Sequence, residues 1–204
     1  ADLLGDYREI RVRADRLGQR AVPELTTLAM SITPEQITHM ERKFKDKNDE
    51  YRRKFMDGSV DKRQRARFKK SMEQMELWFG NFSSEQEATL RRASDLRPLD
   101  NNLWLEERQY RQRRVLAVLT EIQQKKLNRE QTSARVAGLM RELSARMDSP
   151  ERKGFYDASI DHTTKFILTA IRIATPQQKA HAQERIQGWI GDLEALAARI
   201  AARP

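Results

Sequence analysis

Ile32-Thr33-Pro34-Glu35-Gln36 places a hydroxyl residue three positions ahead of a glutamine, where a helical pattern begins. The arrangement returns as Phe82-Ser83-Ser84-Glu85-Gln86, Leu127-Asn128-Arg129-Glu130-Gln131 and Ala174-Thr175-Pro176-Gln177-Gln178. In each, the Thr, Ser or Asn oxygen accepts from orphan backbone N–H groups of the first turn. The Gln side chain reaches back to the N–H of the capping residue. Pro34 and Pro176 fall at the first helical position, where the missing N–H costs nothing. The caps recur at steps of about 45 to 50 residues, within the range of helical repeats. They predict an all-α chain, built as a multi-helix antiparallel bundle or an irregular stack of helical hairpins.

Working outward, Leu3 to Leu17 suits a helix, with Leu3, Leu4, Tyr7, Ile10 and Leu17 as its apolar residues. Gly18 and Pro23 predict a kink or break before further turns to Met30. The Thr33 cap opens a helix to Phe55 or Met56, with Ile37, Met40, Phe44, Tyr51 and Phe55 facing a core. Asp57-Gly58-Ser59 reads as a turn, and a basic helix follows to Phe79, stopped by Gly80. Ser83 caps a shorter helix ending before Pro98, and Asp100 is placed to cap Asn101 to Lys126. The Asn128 cap starts the next helix, and Ser149-Pro150-Glu151 signals another, running to about Ala174. The Thr175 cap opens the last, where Ile186, Trp189, Ile190, Leu193, Leu196 and Ile200 form the expected core face. The linkers are short, so residues 1–204 read as a single helical domain.

Composition agrees. Of 204 residues, 34% are charged and 38% hydrophobic, with eight glycines and six prolines, as in long solvent-exposed helices around a lean core. The net charge is +9, concentrated between Glu41 and Lys70, where 13 Lys/Arg face 6 Asp/Glu, a local excess of +7. Such a face attracts acidic proteins, anionic lipid or nucleic acid; the simpler reading is solvated helix faces with i, i+4 pairs between Asp46/Glu50 and Arg53/Lys54. There is no cysteine, which removes disulfides, thiolate metal sites and cysteine nucleophiles. No apolar run approaches the roughly 20 residues of a membrane span.

The segments at Thr33 and Thr175 resemble the Leu-Thr-x-x-Gln motif of the Spy and CpxP periplasmic proteins. Over most of its length the chain is similar to an uncharacterised family of Gram-negative putative lipoproteins. The resemblance rests on the Thr33 motif, Lys47-Asn48-Asp49-Glu50-Tyr51, the basic Lys62 to Lys70 stretch leading to Trp78, the Ser83 motif, Leu103-Trp104-Leu105-Glu106-Glu107-Arg108, and Thr175-Pro176-Gln177-Gln178 ahead of an amphipathic helix. It implies an exported, periplasm-facing helical protein, anchored to a membrane (the outer membrane being one candidate) by a lipid attached ahead of Ala1. The sequence would then be the later part of a longer lipoprotein.

Candidate chemistry is sparse. His162 stands beside Asp161, with Asp157 and Glu151 nearby, but neighbours on a helix point about 100° apart and do not converge by themselves. His39 and His181 fall on polar stretches and read as surface residues. Glu106 and Glu107 lie beside Arg108 and Arg111, near Tyr110. A pocket could make them an acid–base pair, but an ion-pair cluster tying two helices is the favoured reading. Trp78, Phe79 and Phe82 could form an exposed patch and read better as packing around a turn. Met72, Met75, Met140 and Met147 suit either an adaptable client surface or ordinary core. No phosphate loop or nucleophile elbow is present, so no catalytic residue, cofactor site or metal site is assigned.

The expected function is therefore non-enzymatic: an envelope binding or scaffolding protein, possibly chaperone-like in acting on acidic or unfolded protein clients. The alternative is a basic helical nucleic-acid-binding protein, with Arg63, Arg65, Arg67, Lys69 and Lys70 tracking phosphates. It is less favoured, because acidic residues interleave with the basic ones and no docking motif is visible.

Overall fold

The computed structural model describes residues 3–201. Among these there are nine α-helices, one 3-10 turn and no strand, so the chain is all-α. The helices are α1 (Leu3–Arg20), α2 (Val22–Ser31), α3 (Pro34–Phe55), α4 (Val60–Phe79), α5 (Ser84–Asp95), α6 (Asn101–Lys125), α7 (Arg129–Ala145), α8 (Lys153–Ile173) and α9 (Pro176–Ala201). The 3-10 turn, Arg146–Asp148, follows α7.

All four glutamine boxes form. Thr33, Ser83 and Asn128 each accept from the N–H of the residue three ahead, and Gln36, Gln86 and Gln131 accept from the cap N–H in return. At the fourth, Thr175 Oγ1 accepts from Gln178 N at 3.2 Å and Gln178 Oε1 from Thr175 N at 2.9 Å. Ser59, read as a turn residue, also caps α4 by accepting from Lys62 N. Gly80 ends α4 at φ 74°, a conformation costly to a side chain.

Several expectations fail locally. Asp100 makes no side-chain cap; the α6 start is held instead by Asn101 Nδ2 donating to Phe55 O at 2.6 Å. Gly18 lies within unbroken α1, and the interruption falls at Ala21. A Cβ on Gly18 would lie 2.8 Å from Met140 Cε, so its smallness serves packing rather than a kink. After Ser149-Pro150-Glu151 the helix begins at Lys153, with the Ser149 carbonyl accepting from Arg152 N and Lys153 N.

Two compact units divide the chain. Unit 1 comprises Ala1–Asp57 and Asp100–Thr164; unit 2 comprises Gly58–Leu99 and Lys165–Pro204. In unit 1, α2 packs on α7 and α6, α3 on α6, α6 on α7, and α1 on α7 and α2. Its core is Val22, Ala29, Val118, Leu119, Ile122 and Val136. These recur at three- and four-residue spacings, so each helix offers one stripe. In unit 2, α4 packs against α5 and α9 around Met72, Phe82, Leu90, Phe166 and Ala170.

The last helix corrects the largest expectation. Ile186, Trp189, Ile190, Leu193 and Leu196 are exposed, not core; the side chain of Ile200 lies outside the described residues. In α1 no residue is buried, and Leu4, Ile10 and Leu17 face solvent. No helix among the described residues is long and apolar enough to cross a membrane.

Candidate functional site

The most structured polar site lies in unit 1, around the Glu106-Glu107 pair. The α6 register turns Glu107 inward, where its side chain is 0% exposed. Burying a bare carboxylate is expensive. Arg146, in the 3-10 turn, removes that cost by a fork: Nε donates to Oε2 and NH2 to Oε1, each at 2.8 Å. Arg152 Nε adds an ion pair at 2.8 Å, and Tyr156 OH donates to Oε2 at 3.2 Å. Glu106 receives Arg152 NH2 at 3.0 Å. The cluster does tie helices together, but the arginines come from the α7–α8 connection rather than from Arg108 and Arg111 on the same helix.

Burial pushes the Glu107 carboxyl up; hydrogen bonding to Arg146 and the charges of Arg146 and Arg152 outweigh it and hold it below the ordinary carboxylate value. A second carboxylate extends the lattice. Glu142 takes Arg114 through Nε at 2.6 Å and NH2 at 2.8 Å, and accepts from Tyr110 OH. Those bonds depress its pKa and raise that of Tyr110. The Arg146 guanidinium stacks 3.7 Å from the centre of the Tyr110 ring. Both carboxylates are ionised and have their lone pairs committed. That chemistry fixes helices and leaves no proton for transfer.

Elsewhere the candidates disperse. Among the described residues no three His, Asp or Glu side chains come together as a metal site. On α8, Asp157 pairs with Lys153. His39 Nδ1 lies 2.9 Å from Arg42. His181 is exposed, yet its Nδ1 sits 2.8 Å from Trp78 O, so that nitrogen carries the proton. Phe82 is buried and Phe79 packs 6.0 Å from it, as turn packing requires, while Trp78 turns to Trp189 at 5.2 Å. Met72 is core and Met75 packs against it.

The basic strip is largely occupied. Arg67 donates to the carbonyls of Ser94 (2.7 Å), Arg97 (2.9 Å) and Pro98 (2.7 Å), closing the C-terminal end of α5. Arg65 pairs with Asp61, and Lys70 with Glu73. On α3, Asp49 takes Lys45 and Arg52, and Glu50 takes Lys47, so the solvated-face pairs exist with partners other than those expected. These internal roles weaken the phosphate-tracking alternative.

Two exchanged amide pairs escaped the sequence reading. Asn48, the one buried residue of α3, donates to Gln112 Oε1 at 2.8 Å and accepts from Gln112 Nε2 at 3.3 Å. In unit 2 the capping glutamines clasp each other. Gln86 Nε2 donates to Gln178 Oε1 at 2.9 Å and to Ile173 O at 2.8 Å. Gln178 Nε2 donates to Gln86 Oε1 at 3.3 Å and to Asn81 O at 2.7 Å. Ile173 and Asn81 each lie two residues before a cap, so the two boxes meet through a local two-fold arrangement.

The remaining surface feature is α1. Arg8, Val12, Arg16 and Arg20 succeed one another at four-residue steps beside Leu17, lining an open groove along the helix. Val12 and Leu17 are 51% and 69% exposed. Arg11 and Arg13 pair with Asp148 and Glu9, whereas Arg8, Arg16 and Arg20 have no ion pair among the described residues.

A family described as a family of unknown function (DUF6279) matches residues 3–140. No curated protein and no solved structure matches the chain.

Proposed function

The chain belongs to that family of unknown function (DUF6279), and on this premise we propose that it is a non-enzymatic binding or scaffolding protein of the cell envelope. It faces the periplasm, is held to a membrane by a lipid anchor carried ahead of this sequence, and acts in a chaperone-like way on acidic or unfolded clients. The observation that carries the reading is the α1 surface. There, unpaired Arg8, Arg16 and Arg20 alternate with exposed Val12 and Leu17 on a helix that buries nothing of its own. Long-range charge draws an acidic chain in, and apolar contacts slow its departure.

Light scattering of an aggregating acidic client at equimolar protein tests this. Aggregation falls, and the protection fades as salt rises from about 0.05 M to about 0.5 M, where screening shortens to a few ångströms. The Val12→Ser/Leu17→Ser variant keeps its helical circular dichroism and protects less. Unchanged client aggregation with the wild-type chain defeats the chaperone reading. Fractionation of cells expressing the full gene tests the compartment: recovery with the membrane pellet supports the anchor, and recovery in the cytosol rejects it.

A further inference from the structure

Beyond client binding, we infer that α9 joins two copies of this chain as an antiparallel helix pair. Ile186, Trp189, Leu193 and Leu196 occupy alternating three- and four-residue steps, the seam spacing of a coiled coil, with Ile190 beside them. All five are exposed, Trp189 by 53% and Leu193 by 64%. A row of this kind spans about three helical turns, more than the scattered apolar residues of an ordinary surface.

The occupant is identified by the charges along one edge of that row. Arg185, Asp192 and Arg199 follow at seven-residue intervals, so they share one side of the seam. None has an ion pair among the described residues, and the Arg185 Nε lacks a hydrogen-bond partner. Seven residues apart, they cannot satisfy one another on a single helix. In a parallel pair this edge would meet Ile190 and Ala197 of the other copy, which offer no charge. In an antiparallel pair the edge meets itself. Setting Ile186 opposite Trp189 of the second copy then brings each Arg185 to the other copy's Asp192, twice by symmetry. A two-fold interface must be complementary to itself, and this surface is. The opposite side of α9 carries Gly188, Gly191, Ala195 and Ala198, which offer little apolar area to compete.

Sedimentation velocity of the full chain over a concentration series tests the assignment. Wild type sediments as a dimer at tens of micromolar. Leu193→Asp sediments as a monomer with unchanged circular dichroism, since Leu193 packs in no core of its own chain. Arg185→Asp and Asp192→Arg each weaken the dimer by about tenfold, because each places like charges together at two symmetric sites. The double variant Arg185→Asp/Asp192→Arg restores it. A wild-type monomer throughout, a dimer indifferent to Leu193→Asp, or a double variant as weak as the singles overturns the proposal.

Discussion

In unit 2 the Ser83 and Thr175 boxes meet through Gln86 and Gln178, whereas in unit 1 the boxes at Thr33 and Asn128 stay local. Gln178 is buried and Gln86 half-buried; Gln36 and Gln131 are exposed and bond only to their own caps among the described residues. The same four-residue grammar therefore yields a tertiary joint in one unit and a helix start in the other. Unit 1 makes its polar joint elsewhere, with charge: Glu107 locked by Arg146 and Arg152. One unit is fastened by an ionised group that titrates, the other by amides that do not.

That contrast is easiest to break at Glu107. Glu107→Gln leaves two arginines facing a neutral amide in a buried site, and removing one partner of such a pair costs about 3–5 kcal/mol. Urea unfolding at neutral pH should register it as a lower midpoint; a loss below about 1 kcal/mol would mean the lock contributes little.

Acid should loosen the same joint. The folded pKa of Glu107 and of Glu142 lies below the ordinary value, so their stabilisation is fully present above the unfolded carboxyl value of about 4.3 and is lost as pH falls through the lower folded values. Thermal melts should be flat from neutral pH down to about 5 and fall below about 4, with a shallower fall in Glu107→Gln. An equal acid slope in both chains would exclude Glu107 as a source.

The clasp is a smaller effect. Gln178→Ala strands Asn81 O and the Gln86 amide, at about 1–3 kcal/mol, with no change between pH 7 and pH 5. A double-mutant cycle on Gln86 and Gln178 should return a coupling of about 1 kcal/mol, and the same cycle on Gln36 and Gln131 should be additive within about 0.5 kcal/mol. The smallest effect is Gln36→Ala alone, about 0.5 kcal/mol, because it removes half of an exposed capping box. Equal couplings in the two cycles would erase the distinction between the units.

How much of this was legible follows from the range of each interaction. The four boxes were readable because a cap is closed by residues three apart, and local chemistry suffices. Asp100 had the right residue type and still failed to cap, because Asn101 found Phe55 O across the fold. Glu107 was read as an ion-pair residue with neighbours one and four positions away, yet its arginines lie 39 and 45 positions on. Nothing local marks Arg146 and Arg152 as facing it. The α9 stripe was recognised as apolar and assigned to a core, since periodicity reports a hydrophobic face without reporting what meets it. The α1 surface was visible as a pattern but not as exposed.

By itself, then, the amino-acid order determined helix class, most helix starts and stops, and which face of each helix is apolar, since these depend on hydrogen bonds and side-chain spacing within a few residues. The tertiary structure alone decided which apolar faces are covered, which capping glutamines join, and which cations neutralise Glu107. Those outcomes rest on contacts between residues tens of positions apart, where burial changes the energy of a charge or an amide and sequence spacing carries no distance.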